Sequence, residues 1–394
     1  MLQLPSNLNI HKGRTMITRK LEAEIQKYIP SGKAIIIYGP RQVGKTTLAN
    51  QLLAGQDNIA YFNGDDAATR TLLSEVNAIK WQQILGKRTV LFIDEAQRID
   101  DMGLKLKLIT DQLPDVRIVA TGSSSFDLAN MVNEPLTGRK WEFQLTPLSF
   151  AELVEHFGWF EEKQYLSSRL ILGSYPEVVT NPEFAQDRLR ELTSSYLFKD
   201  ILEWGMVKNS EKLEKLLTAL ALQVGSQVSY TELGQLCSMD HKTVERYIRI
   251  MEQAFIIFRI PSYSRNLRNE LKFSRKIFFY DNGIRNGLLG DYTPLELRQD
   301  TGKLWENYLM SERRKLILNS NSHARGYFWR TRQKQEIDYI EEKDGLVTAF
   351  EFKWNPKAKT KGHKTFKEAY KLSEIPIISQ NNYDEFLLGE TYPT

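Results

Sequence analysis

Residues 33–53 read KAIIIYGPRQVGKTTLANQLL, and they set how the rest of the chain is understood. Ala34 to Tyr38 is a short continuous apolar run, the pattern of a parallel strand buried on both faces. Gly39-Pro40-Arg41-Gln42-Val43-Gly44-Lys45-Thr46 then fits G-x-x-x-x-G-K-[ST] at every fixed position. The glycines let backbone amides curl around a phosphate, and the following segment predicts a helix whose positive N-terminal end points at it. Lys45 is placed to reach β/γ oxygens and the Thr46 hydroxyl to ligate magnesium. The expectation is an ATP site formed by Gly39, Pro40, Arg41, Gln42, Val43, Gly44, Lys45, Thr46 and Thr47, with Mg2+ as its ion.

Working outward, RTVLFIDEAQRI (88–99) is a second buried strand that ends in Asp94-Glu95. A carboxylate at that strand tip can hold magnesium, which assigns Asp94 with Thr46 to the metal. A second carboxylate beside it, Glu95, can polarise an attacking water. A third strand, VRIVATGSSS (116–125), ends in hydroxyls. Ligands of open α/β sheets bind at such strand ends, so Thr121 and Ser123 are candidates to sense the terminal phosphate. A short helix is expected over Phe126–Val132. EPLTGRKWEFQLTPLSF (134–150) places Arg139 just before a further strand, where it could stabilise transition-state charge on a neighbouring subunit's phosphate.

The order of phosphate loop, FIDEAQ, ATGSSS and LTGRKWEFQLTPLSFAEL resembles a large group of prokaryotic AAA-type ATPases. There the ATPase precedes a winged helix and a restriction-endonuclease-like segment of unknown function. GSYPEVV (173–179) and YDNGIRNGLLG (280–290) are similar to that group's recurring segments, so the likeness runs from about residue 15 to 355. It implies an AAA-type fold, with Arg139 where such proteins carry an arginine finger. It supplies no reaction beyond ATP hydrolysis.

Behind this core, helical patterns through about residue 205 suit a lid packed over the nucleotide. Residues 211–290 read as a winged helix. KLLTALALQVG is one amphipathic helix, and SYTELGQLC is a second, opened by a Ser/Thr cap. In the third, Val244, Ile248, Met251 and Phe255 share a stripe, leaving Lys242, Thr243, Arg246 and Arg249 outward as on a recognition helix. The segment after it looks like a basic wing with Arg265, Arg268, Lys272, Arg275 and Lys276, and with Tyr263 and Phe273 interleaved for stacking on nucleic acid.

Near the C-terminus, EIDYIEEKDGLVTAFEFKW (336–354) gives a strand ending near Asp338, a turn at Asp344-Gly345 and a second strand. There Ala349, Glu351 and Lys353 share one face, while Phe350, Phe352 and Trp354 share the other. Asp338 and Glu351 can hold one or two divalent metals, Glu306 from the preceding helix can complete the shell, and Lys353 can orient or deprotonate water. An acid followed by Glu-x-Lys is the restriction-endonuclease-like pattern. The proline usual before the first acid is absent here, with Ile337 in its place.

Composition bounds these readings. At 394 residues and 41% apolar content, with a mean hydropathy of −0.42, the chain fits a soluble protein of two to four domains. One cysteine, Cys237, excludes an intramolecular disulfide framework and any cysteine-rich zinc site. The N-terminus lacks a signal-peptide pattern and no apolar run approaches a membrane span, so the cytoplasm is expected. Residues 261–371 hold 23 Lys+Arg against 14 Asp+Glu, whereas the remainder holds 30 against 35. The basic rear points to an anionic partner, DNA before other nucleic acids.

The resulting fold class is α/β: a P-loop AAA-type ATPase core (1–150), a helical lid (151–208), a winged helix (209–292) and a C-terminal restriction-endonuclease-like α/β domain (293–394). If Arg139 acts in trans, the working form is a homo-oligomer. Three functional readings stay open: an ATP-regulated nuclease, an ATP-switched DNA-binding protein with a silent nuclease fold, and an ATPase with protein partners alone.

Overall fold

The computed structural model describes residues 16–123, 136–196, 209–264, 275–331, 333, 335–357 and 363–389. The front unit is a five-stranded sheet of β1 (Ala34–Tyr38), β2 (Ile59–Asn63), β3 (Val90–Asp94), β4 (Arg117–Gly122) and β5 (Lys140–Gln144), ordered β2-β3-β4-β1-β5. Every pairing in it is parallel. The chain leaves β1 for one side of the sheet and returns to the other side at β5, so the crevice opens at the carboxyl end of β1.

Strand alternation divides the apolar residues between two cores. Ala34, Ile36, Leu91, Ile93, Ile118 and Ala120 face Trp81 and Leu85 of α4 (Ala78–Leu85), and Met102, Leu106 and Ile109 of α5 (Met102–Gln112). These helices follow α1 (Lys20–Gln26), α2 (Lys45–Leu52) and α3 (Ala67–Leu73). Ile35, Ile37, Phe92, Val119 and Phe143 face the other way. They join one continuous core with the helices and sheets of the rear half.

That rear half begins with α6 (Phe150–Phe157), α7 (Trp159–Gln164), α8 (Leu166–Leu172), α9 (Pro176–Thr180) and α10 (Ala185–Glu191). Next come α11 (Ser210–Leu222), β6 (Gln227–Val228), α12 (Tyr230–Cys237), α13 (His241–Gln253), β7 (Ile257–Pro261) and β8 (Arg275–Phe279). These three strands form an antiparallel sheet ordered β6-β8-β7. The chain continues through α14 (Asn282–Leu289) and α15 (Thr301–Asn319) into β9 (Arg325–Arg330), β10 (Glu336–Lys343) and β11 (Leu346–Phe352). α16 (His363–Tyr370), β12 (Ile377–Ile378) and α17 (Tyr383–Leu388) complete it, with strands ordered β12-β11-β10-β9.

The segments GSYPEVV and YDNGIRNGLLG pack against one another. The Asp281 carboxylate accepts from the Ser174 amide at 2.7 Å, and Asn286 donates to the Ile171 carbonyl at 2.8 Å. A Cβ on Gly173 would stand 2.0 Å from Asp281 Oδ1, and one on Gly283 would stand 2.1 Å from the Leu172 carbonyl oxygen. Both glycines are therefore fixed by close approach. The helices expected to cover the nucleotide thus engage α14 in the described residues.

α15 ties front to rear. Its Glu312 accepts from the Phe150 amide at 2.7 Å, and Lys315 donates to the Leu148 carbonyl at 3.0 Å and to Ser174 Oγ at 2.8 Å. All these side chains are buried, and each charge has an opposite partner, since Lys315 also bonds Glu312 at 2.7 Å. Burial without such pairing would cost several kcal/mol per ion.

Candidate nucleotide site and acidic cluster

The P-loop leaves β1 pressed against the chain leaving β5. A Cβ on Gly39 would lie 2.0 Å from the Leu145 carbonyl oxygen, so only glycine passes. Gln42 and Gly44 take left-handed backbone at φ 61° and 94° and turn the loop into α2. No side chain caps that helix start, which leaves its first amides directed at the loop. Lys45 is only 5% exposed, and its ammonium donates to the carbonyls of Gly39 at 3.1 Å and Pro40 at 2.9 Å. Val43 and Pro40 are buried, whereas Thr47 is exposed.

Register brings the remaining candidates to the same edge. Ile37 is opposite Thr121 in the sheet, and β3 ends at Asp94 beside β4. The Thr46 hydroxyl donates to both Asp94 oxygens at 3.0 and 3.1 Å, and the Thr121 hydroxyl donates to Asp94 Oδ1. Thr121 Oγ1 also accepts from the Glu95 amide at 3.3 Å. Glu95 sits at φ 50°, a left-handed turn that swings its carboxylate off the strand axis. Gln97 holds it there, donating to Glu95 Oε2 at 2.6 Å and to Ser123 Oγ at 2.9 Å. Gln97 belongs to the FIDEAQ run, but as an uncharged amide it gave sequence reasoning no reason to single it out.

Arg19 was missed altogether. It lies 5% exposed ahead of α1 and donates to the Val43 carbonyl and the Thr146 carbonyl, each at 2.6 Å, and to Glu152 Oε1 at 3.0 Å. Glu152 is in turn the third residue of a capping box with Ser149. An isolated arginine far from any motif carries no sequence signal for this role.

Arg139 stands at the other edge of the sheet. Its carbonyl accepts from the amide of Ala34, at the start of β1, and its half-exposed side chain pairs with Asp111. All of β1 and β5 separate it from its own phosphate loop.

At the rear, the turn at Asp344-Gly345 forms as expected, with φ 52° and 81° joining β10 to β11 in a two-residue hairpin. Asp338 does not end a strand: it lies inside β10, at a register shift between Ile337 and Ile340. The bulge turns it toward β11, where its Oδ2 accepts from the Phe352 amide at 2.8 Å. Lys353 reaches Asp338 at 3.4 Å and Glu351 at 2.5 Å. The expected aromatic face is buried: Phe350 and Phe352 pack on Tyr339 and Phe386. The opposite face is covered as well, with Ala349 and Glu351 buried.

Glu306 approaches from α15 but is bound by Lys276, at 2.9 Å, and Lys276 also pairs with Glu336. Here sequence reasoning needs correction. Lys276 is 2% exposed, because on β8 it points under the sheet toward α15 and β10, and it offers nothing to a phosphate backbone. Tyr263 is partly buried and packs on Tyr327 and Tyr370. Burial drives the Glu306 carboxyl up to about 7, helped by Asp338 and Glu336 against Lys276. Burial and Asp338 together raise Glu351 to about 7 against the pull of Lys353. The donors are hard oxygens suited to a divalent cation. Among the described residues, however, no three Asp, Glu, His or Cys side chains converge on a point that could hold a metal.

On α13, Lys242, Arg246 and Arg249 are exposed, while the Thr243 hydroxyl is spent on Asp240, the helix cap, at 2.6 Å. Arg265, Arg268, Lys272 and the helix expected at Phe126–Val132 lie outside the described residues. Among the described residues no helix is long and apolar enough to cross a membrane.

Residues 31–154 match the family described as AAA domain. Over that span the front unit is similar to AAA-type domains. Residues 163–294 and 301–389 match two domains of unknown function, DUF8612 and DUF4143. Uncharacterized proteins of Mycobacterium tuberculosis and Mycobacterium bovis are each 26% identical over 342 residues, covering 85% of this chain and 73% of theirs. An uncharacterized protein of Haemophilus influenzae is 26% identical over 285 residues, covering 65% of this chain and 69% of its own. Among solved structures, a Walker-type ATPase of Pyrococcus abyssi aligns at 16% identity and a TM-score of 0.48, over 70% of this chain and 96% of that one. The P-loop and the Asp94-Glu95 tip both fall inside the AAA match, whereas Glu306, Glu336, Asp338 and Glu351 all fall in the second segment of unknown function and Lys276 in the first.

Proposed function

We propose that the chain hydrolyses ATP with magnesium in its AAA domain and uses the nucleotide state to change how its rear half holds nucleic acid, DNA foremost. The observation that carries this is the bonding of the Thr46 hydroxyl to both Asp94 oxygens, at 3.0 and 3.1 Å, beside a buried Lys45. Thr46 and Asp94 are hard oxygen donors and would hold Mg2+, which supplies charge neutralisation to phosphate oxygens. Lys45 and the loop amides bind the phosphates, Thr121 and Ser123 stand at the terminal one, and Glu95, steadied by Gln97, orients water. Arg139, exposed at the opposite edge, would act on a second copy, which makes the working form a homo-oligomer.

The rear half supports nucleic-acid binding through the order helix–strand–helix–helix–hairpin, which suits a winged helix, with Lys242 and Arg246 exposed on its third helix. Tests are ATP turnover in Lys45→Ala and Glu95→Gln, and salt-dependent binding of labelled DNA with and without ATP in Arg246→Ala. Turnover that survives Lys45→Ala refutes the nucleotide reading. Absence of nucleic-acid binding at every ionic strength leaves a protein-only partner.

A second reading, phosphodiester cleavage by a restriction-endonuclease-like domain, is favoured by the approach of Lys353 to Asp338 and Glu351. Asp338 and Glu351, which Lys353 bridges, would be the carboxylates offered to its metal, while Glu306 is engaged by Lys276 and does not converge with them on one point. Cleavage of labelled DNA in Mn2+ that disappears in Lys353→Ala would establish it. Intact DNA under all conditions, with ATP turnover retained, would make the cluster a scaffold.

A further inference from the structure

Away from both sites, a cavity of about 230 Å3 opens where β7, α15 and β9 meet. It is far larger than the ~10–15 Å3 that one water needs by the same measure. Its lining includes three arginines, Arg259, Arg314 and Arg325, and no carboxylate. Arg259 is already neutralised, bonding Glu252 at 2.6 Å and the Tyr230 hydroxyl at 3.1 Å. Arg314 and Arg325 form no ion pair or hydrogen bond among the described residues, and Arg314 Nε is buried. A buried guanidinium donor without an acceptor among the described residues is costly, and a bound anion would supply one.

We infer that this cavity is a binding site for a small organic phosphate monoester. Two guanidinium groups with no ion pair among the described residues match the charge of such a group, about −1.5 to −2 near neutral pH, better than that of a monocarboxylate. Their planar donor forks suit phosphate oxygens. Phe258, Ile260, Met310 and Ile317 line the rest of the space and provide an apolar seat for the organic part. The site is separate from the P-loop, and the charge of Arg314 is felt weakly at the hydroxyl of Tyr38, the last residue of β1, and at that of Tyr339 in β10, opposing the rise that burial causes in each.

The test uses the full chain and phenyl phosphate as probe, by calorimetric titration, with benzoate and phenol as comparisons. Phenyl phosphate is expected to bind with Kd at or below ~1 mM, with benzoate weaker and phenol not measurable. Arg314→Met should weaken binding at least about tenfold, and the exposed Arg325→Ala several-fold. Arg325→Ala keeps the test valid should Arg314→Met fail to fold. Binding that is absent up to ~10 mM, or unchanged in both variants, overturns the proposal. The second result would place the anion elsewhere, the P-loop included. Equal binding of benzoate and phenyl phosphate would overturn the phosphate assignment.

Discussion

Arg19 donates to the main-chain carbonyl of Val43 at 2.6 Å, so a residue from outside the P-loop fixes the loop's conformation. Arg19→Met should weaken binding of a fluorescent ADP analogue by roughly tenfold or more, through the lost loop contact. It also strands the buried Glu152, so a loss of about 3–5 kcal/mol in stability is expected. Glu152→Gln keeps both carbonyl contacts and should retain nucleotide affinity while losing stability, which separates positioning from folding. Equal affinity in Arg19→Met and the native chain would refute the role.

Gly39→Ala should abolish nucleotide binding, because the new methyl meets the Leu145 carbonyl at 2.0 Å. Backbone must move at both β1 and β5 to relieve that contact. A melting temperature within a degree or two of native, with normal ADP affinity, would contradict it.

Glu95→Gln should bind ATP normally while turning over about 100-fold to 10,000-fold more slowly, since it removes a base and leaves phosphate binding intact. Gln97→Ala, which frees Glu95 from its 2.6 Å partner, should lower kcat by a smaller factor with KM little changed. Single-turnover and steady-state measurements together resolve the two.

Glu306 and Glu351 give stability a pH dependence of definite sign. Both are held to about 7, above the usual carboxylate range, by burial and by Asp338. Between the unfolded value near 4.3 and 7 the folded chain binds more protons than the unfolded one, so stability falls as pH rises through that window. Chemical denaturation at pH 5 and pH 8 should show the lower value at pH 8, and Glu306→Gln should flatten the slope. An unchanged slope in that variant would show that Glu306 does not carry the effect.

Lys276→Met leaves the partly exposed Glu306 and Glu336 without their shared cation and should lower stability at pH 8, less at pH 5 where Glu306 takes a proton. If Lys276 were instead a surface contact for nucleic acid, stability would be untouched and DNA affinity would drop.

The phosphate loop was legible because its chemistry is local: eight consecutive positions, four of them with a fixed requirement, next to a strand and a helix. Asp94 and Glu95 were legible for the same reason, and parallel register then brought Thr121 to them. The Asp344-Gly345 hairpin followed from turn chemistry. Lys276 was misread because a lysine near other basic residues looks like a surface in sequence, whereas its burial depends on α15 and β10, dozens of residues later. Arg19 and Gln97 were silent because positioning is a property of distance in space. Asp338 could be placed on a strand but not at its bulge, since a one-residue register shift leaves no mark in composition.

The bond between the Phe150 amide and Glu312 spans 162 residues of chain. A nascent chain elongating at about 5–20 residues per second completes the front sheet some 8–30 s before α15 exists to cover it. Throughout that interval the face carrying Ile35, Ile37, Phe92, Val119 and Phe143 has no partner from α15, β9 or β10. α2 covers β1 and β4 from the start, so synthesis of this protein contains a defined window in which the β5 side of that face lacks α15, and chaperone demand should peak inside it.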